Sequence, residues 1–145
     1  MSDKKVIEGL KELLASSYML LLKTHNYHWN VTGPQFISLH KMFEEQYDDL
    51  FEAVDDVAER IRALGVKAPA TFKEYLELSV IEEGDENASA VEMLKDLSDS
   101  NKKLSQVSAK VIVAAQDAGD EVSMDLSIQR QTVHDKNAWM LDSSV

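Results

Sequence analysis

Four side chains that can bind a metal ion lie in the first half of the chain. They are two imidazoles, His28 and His40, and two carboxylates, Asp55 and Glu59. Imidazole and carboxylate ligands without thiolate suit iron, manganese or zinc, and the chain has no cysteine. Asp55 and Glu59 are four residues apart, so a helix places them on one face. These residue types predict a metal centre built from histidine and carboxylate.

The segment that carries these acids is unusually negative. Positions 44 to 59 hold eight carboxylates and no Lys or Arg: Glu44, Glu45, Asp48, Asp49, Glu52, Asp55, Asp56 and Glu59. At roughly 100° per residue, Glu44, Asp55 and Glu59 share a side of the helix with His40. The opposite, apolar side holds Phe43, Leu50, Val54, Val57 and Ile61. The acidic stripe therefore faces solvent or another molecule, and the acids off the stripe, Asp49 among them, fit a solvated surface.

Helix length keeps the two pairs apart within one chain. At 1.5 Å per residue, His40 and Asp55 are roughly 22 Å apart along the helix axis. His28 can approach His40, because the break at Gly33 reverses the chain between them. No Glu-x-x-His pair, the intrachain motif of ordinary ferritin-like bundles, is present. A two-fold copy, the commonest oligomer, would bring each histidine pair onto the other chain's carboxylates. The spacing thus predicts two equivalent centres shared between two chains.

Four long helices and one short helix must position these residues. Apolar spacing, breaks and capping signals predict helices over about 4–30, 36–64, 71–78, 89–118 and 121–141. Ser89 with Glu92, and Thr32 with Gln35, resemble capping boxes. The connection between the second and third long helices can cross the length of a bundle. The expected fold is therefore all-α: one domain, 1–145, forming a ferritin-like four-helix bundle with a short extra helix in that connection.

Composition and charge exclude several classes of protein. The chain has 145 residues, 44% hydrophobic and 28% charged, which is typical of a soluble globular domain. The net charge of −11 argues against a general affinity for nucleic acid, since that affinity requires Lys and Arg to neutralise phosphates. No apolar run is long enough to cross a membrane. The first residues lack the apolar core of a signal peptide, so we expect a cytoplasmic protein.

Three segments resemble the Dps family, the DNA-protection-during-starvation proteins or mini-ferritins. They are HWNVTG at 28–33, DDVAER at 55–60 and HDKNAWML at 134–141. The resemblance covers nearly the whole chain and implies hollow dodecamers whose iron centres lie at two-fold dimer interfaces. It implies that His28 and His40 bind iron from one chain. Asp55 and Glu59 would come from the mate, and Glu44 would be an accessory ligand.

The resemblance also implies a reaction and further site residues. The reaction is ferroxidase chemistry at a two-iron centre: Fe(II) is oxidised, preferably with hydrogen peroxide, and ferric mineral is stored, which protects against oxidative damage. Trp29 would be a radical sink, with packing at the dimer interface as an equal alternative. An acidic pore for iron entry would be lined by Asp117, Asp120, Glu121 and Asp125, with ordinary capping of the last helix as an equal alternative.

Two other functions stay open from the sequence. One is a nucleoid-binding protein with secondary iron chemistry. Many DNA-binding members of the family have a Lys-rich tail, whereas the N-terminus offers only Lys4 and Lys5 and 141–145 contain no lysine. We therefore expect weak or absent DNA binding at physiological salt. The other is a metal-free helical assembly, such as an adhesin or antigen. Of the remaining histidines, His25 is interpreted as a satisfied interior residue and His134 as a surface residue without a role.

Overall fold

The computed structural model describes residues 2–145 and contains five helices in that range. Helix α1 spans Ser2–Asn30, α2 spans Phe36–Ala63, α3 spans Phe72–Leu78, α4 spans Ala90–Ala118 and α5 spans Glu121–Asp142. Helix α1 packs against α2 and α4, α5 packs mainly against α4, and the short α3 lies against α1. The predicted all-α bundle with a short extra helix is confirmed. None of these helices is long and apolar enough to span a bilayer.

Local signals set the ends of α4. The Ser89 side chain accepts a hydrogen bond from the backbone N–H of Glu92, and the Glu92 side chain accepts one from the N–H of Ser89. This reciprocal capping box satisfies two backbone donors that a helix start otherwise leaves free. At the other end Gly119 has a φ of 68°, the left-handed conformation that favours glycine. The predicted bounds of α4 follow from these two ends.

The start of α2 differs from the prediction. The capping box expected from Thr32 and Gln35 is wrong, because α2 begins at Phe36 and its N-cap, Gln35, makes no side-chain capping bond. A backbone turn closes the corner instead: the N–H of Phe36 donates to the carbonyl of Gly33, whose φ is 114°. The glycine turn brings the end of α1 beside the start of α2.

The apolar face of α2 packs into the core. Phe43, Leu50, Val57 and Ile61 are at most 1% exposed, and they belong to one cluster with the leucines of α1. Full burial of such a side chain stabilises the fold by about 2 kcal/mol. Because this face is fixed against α1, the stripe with Asp55 and Glu59 points away from the core, and both carboxylates are exposed.

Helix α5 is buried through mostly polar side chains. Its buried residues are Ser123, Ser127, Arg130, His134, Asn137, Ala138 and Leu141. The interpretation of His134 as a surface residue is wrong, since its side chain is fully buried between α4 and α5. Asp49 of α2 is also not simply solvated, because it accepts two hydrogen bonds from Arg130. Polar pairing between helices therefore adds to the apolar packing of Leu141 along α5.

A second polar network joins α1, α4 and the connection before α4. The hydroxyl of Tyr27 donates to Asp96 Oδ2 at 2.6 Å and accepts from the backbone N–H of Asp85 at 3.0 Å. Lys23 donates to Asp96 Oδ1 at 3.0 Å and to Ser100 Oγ at 2.9 Å. Burial, together with the bond to Asp96, raises the pKa of the Tyr27 hydroxyl, so it remains a donor. These hydrogen bonds attach the connection before α4 to helices α1 and α4.

Candidate metal centre

The corner between α1 and α2 places two imidazoles against each other. His28 lies in the last turn of α1 and His40 in the second turn of α2. Their ring centroids are 3.7 Å apart and the ring planes differ by 14°. The His28 side chain is only 7% exposed. The chain reversal at Gly33 therefore brings the two predicted histidine ligands together within one chain.

Hydrogen bonds to the backbone fix the tautomers of both rings. Nδ1 of His28 lies 2.6 Å from the carbonyl oxygen of His40, and Nδ1 of His40 lies 2.7 Å from the carbonyl oxygen of His28. A carbonyl oxygen can only accept, so each Nδ1 must carry the hydrogen. In the neutral ring, each Nε2 then keeps its lone pair. Metal-binding histidines usually have this arrangement, in which the nitrogen that does not bind is held by a backbone carbonyl or a carboxylate.

Glu44 completes a group of three side chains that could hold a metal ion. It lies one turn after His40 on the same face of α2, and its Oε1 is 3.8 Å from Nε2 of His28. Ligand atoms of His28, His40 and Glu44 all lie within 4.8 Å of one another. The Glu44 side chain is 51% exposed, so the group is open on one side. Two imidazoles and one carboxylate fit Fe(II), Mn(II) or Zn(II) and leave positions for ligands from elsewhere.

Asp55 and Glu59 lie apart from this group. They follow on the same continuous helix, where Asp55 lies roughly 22 Å and Glu59 roughly 28 Å from His40 at 1.5 Å per residue. Among the described residues they belong to no cluster of three metal-binding side chains. Asp55 lines an open cleft of about 660 Å³ between α1, α2 and α3 that also exposes apolar Phe51. The histidine pair and the two carboxylates therefore lie on one side of α2, too far apart to bind the same ion.

Aromatic rings surround the histidine pair, and the sequence analysis missed one of them. Tyr47 contacts the His28 ring edge-on, with centroids 5.2 Å apart, and stacks on His25 at 4.5 Å. Trp29 is 60% exposed and contacts the His25 ring at a tilt of 33°, with ring centroids 3.7 Å apart. Tyr47 lies three residues after Glu44, a spacing that could have identified it. Burial, followed by the charges of Glu44 and Asp48, raises the pKa of Tyr47.

The interior position expected for His25 is also wrong. Its ring is half-exposed, because Trp29 and Tyr47 hold it at the surface of α1. Burial lowers the pKa of His25, the neighbouring His28 lowers it further, and Asp48 acts in the opposite direction. His25 is thus part of the aromatic surroundings of the histidine pair.

The four acids at the junction of α4 and α5 differ in exposure and in hydrogen bonding. Asp117, Glu121 and Asp125 are exposed. Asp120 is the N-cap of α5: it accepts from Ser123 and forms a salt bridge of 2.8 Å with Arg60. Burial alone would raise the pKa of Asp120, but the bonds from Ser123 and Arg60 lower it overall. Three of the four acids are therefore exposed, whereas Asp120 caps α5.

Comparisons with known proteins identify the family. The model of the ferritin-like domain matches residues 7–145. DNA protection during starvation protein 2 of Bacillus anthracis is 40% identical over 139 residues, which cover 96% of this chain and 95% of the relative. The chain belongs to the Dps family. The crystal structure of Dps from Staphylococcus aureus superposes with a TM-score of 0.94 at 39% identity, covering 97% of this chain and 95% of that one.

A second Dps structure links the fold to a class of metalloproteins. The Dps protein of Vibrio cholerae is described as a member of a broad superfamily of ferritin-like diiron-carboxylate proteins. It superposes with a TM-score of 0.93 at 30% identity, covering 98% of this chain and 89% of that one. Membership of the Dps family indicates an iron-related, protective function.

Proposed function

We propose that this Dps protein is a ferroxidase that oxidises Fe(II) with hydrogen peroxide at two-iron centres shared between two chains. The ferric product is stored inside a dodecamer in the cytoplasm. The observation that carries the proposal is the His28–His40 pair, whose backbone hydrogen bonds leave both Nε2 atoms free beside Glu44. Three donors do not complete a two-iron centre, so Asp55 and Glu59 of a two-fold mate supply the rest.

The chemistry balances for two irons and one peroxide. Each Fe(II) gives up one electron, and the O–O bond of peroxide accepts both electrons. With two protons, two water molecules form and no hydroxyl radical leaves the site. The residues of the chain hold both irons near one peroxide, which makes the reaction effectively intramolecular. The carboxylates also offset the positive charge that increases as Fe(II) becomes Fe(III).

Charge supports iron rather than DNA as the partner. The net charge of −11 attracts cations to the protein and repels the phosphate backbone. Exposed acids such as Asp117 and Glu121 lie where the last two helices meet. In our proposal these acids guide Fe(II) to the interior, and DNA binding at physiological salt is weak or absent.

Subunit mixing tests the shared centre. His40→Ala and Asp55→Ala should each abolish fast, peroxide-dependent Fe(II) oxidation, measured anaerobically by stopped-flow absorbance of ferric iron. When the two variants are dissociated, mixed equally and reassembled, a mixed two-fold dimer has one site with both lesions and one intact site. Roughly a quarter of all sites should then recover, because random pairing makes half of the dimers mixed.

A matched mixture controls for the effects of reassembly. His28→Ala mixed with His40→Ala leaves every site damaged, because both lesions lie on the histidine side. That mixture should stay inactive. Recovery in neither mixture, with mixed dimers verified by native mass spectrometry, would refute a shared centre. Equal recovery in both would show that the two histidines do not act in one site.

A further inference from the structure

His134 is an ionisable side chain that the proposed function does not use. It lies on α5, far along the chain from the candidate metal ligands, and is fully buried. Nδ1 lies 2.8 Å from Oδ1 of Asn101 on α4, and Nε2 lies 3.3 Å from Nη2 of Arg130 on α5. Both ring nitrogens are therefore engaged.

The partners of His134 fix its protonation state. The Asn101 amide nitrogen donates to the carbonyl of Leu97 at 2.8 Å, so its oxygen accepts the Nδ1 hydrogen. The guanidinium of Arg130 can only donate, so Nε2 must accept. The ring is thus neutral, and a second proton would face an arginine N–H. Burial and the charge of Arg130 hold the pKa of His134 well below its usual range.

The charged groups around His134 give an imidazolium no counter-ion. From α5, Arg130 faces the ring, and from α2, Asp49 is engaged by both terminal nitrogens of Arg130, at 3.3 and 2.9 Å. The neighbouring Asp135 is engaged by Ser105 of α4. A line of side chains, Asp49–Arg130–His134–Asn101, therefore connects α2, α5 and α4.

We propose that His134 makes the docking of α5 sensitive to pH, so that mild acid loosens this helix from α4 and α2. The ring accepts a proton only when α5 moves away and water reaches Nε2. Because the docked ring resists protonation and the undocked ring does not, stability is present above the ordinary histidine pKa and is lost as the pH falls below it. Five of the seven buried residues of α5, His134 included, are polar, so little apolar burial holds this helix in place once the ring is charged.

The size of the effect follows from one proton. For an undocked pKa near 6.5, the equilibrium constant for opening α5 should rise about tenfold between pH 7.5 and 5.5. Hydrogen exchange of the assembled protein, corrected for the intrinsic pH dependence of exchange, measures this constant for peptides from 121–142. His134→Gln keeps polar bonding capacity but cannot bind a proton. Its opening constant should therefore rise at most about twofold over the same pH range, at least fivefold less than that of the wild type.

A second variant keeps the test informative if His134→Gln folds poorly. Asn101→Asp places a carboxylate against Nδ1 and stabilises the imidazolium, so the rise in opening at acidic pH should shrink or reverse. The other three histidines are present in both variants, so their titration cancels from the comparison. A tenfold rise that persists in His134→Gln, or is unchanged in Asn101→Asp, would overturn the proposal. Neither result depends on the ferroxidase assay.

Discussion

Replacing Tyr27 by Phe removes only one oxygen atom but should lower the free energy of unfolding substantially. The ring remains in place, fully buried, while two hydrogen bonds disappear. One is the 2.6 Å bond to the carboxylate of Asp96, and bonds to charged groups contribute about 1.5–3 kcal/mol. The other leaves the backbone N–H of Asp85 without its acceptor, which costs about 1 kcal/mol. The expected loss is about 3 kcal/mol.

The same loss can be expressed as a change in melting temperature. At 145 residues, the entropy of unfolding is roughly 0.3 kcal/mol per kelvin. Tyr27→Phe should therefore lower Tm by about 10 °C, measured by circular dichroism on wild type and variant at equal subunit concentration. Hydrogen exchange should increase first around Asp85, because its N–H is released. Lys23 still pairs with Asp96, so the carboxylate does not become an isolated buried charge.

Tyr75→Phe is the matched control. The Tyr75 ring is also buried, but its hydroxyl makes one neutral bond, to the carbonyl of Pro69 at 2.7 Å. Its removal should cost about 1 kcal/mol. Equal losses for the two variants, or a loss below about 1 kcal/mol for Tyr27→Phe, would refute the idea that the charged acceptor makes the difference.

Two further predictions test the start of α4 and the metal ligands. Ser89→Ala should cost about 1 kcal/mol in urea unfolding, because the capping box is lost, whereas Thr132→Ala in the middle of α5 should change little; equal effects would contradict the capping role. Glu44→Gln should weaken Co(II) binding, followed by its visible spectrum, at least about tenfold, the lower limit seen when a metal site loses a supporting group. Glu45→Gln, one residue further and exposed, should leave affinity unchanged, and a similar loss there would exclude Glu44 as a ligand.

The sequence predicts the helices well where the signal is local. Ser89 and Glu92 are three residues apart and cap α4 by themselves, and the apolar face of α2 follows from helical periodicity. The capping box predicted from Thr32 did not form, because a backbone turn at Gly33 closes the corner before α2 without a side-chain cap. A capping motif in the sequence does not show which of two competing turns will form.

The two misassigned histidines show a different limit. His25 follows an apolar stripe, but the stripe continues past the core to a surface where Trp29 and Tyr47 hold the ring. His134 lies among polar residues, and its burial depends on Asn101, 33 positions away. Such pairings depend on how α4 and α5 pack, so no local pattern reveals them. The histidine pair could be predicted because one short turn joins its two helices.

The continuous α2 has a consequence for newly made subunits. A rigid helix cannot fold Asp55 and Glu59 back onto the histidines near its start, so under the shared-centre proposal a single subunit holds only some of the metal ligands. Under the shared-centre proposal, ferrous iron is left unoxidised until subunits pair. In that proposal, oxidation starts only where subunits assemble, so ferric mineral does not form on isolated monomers.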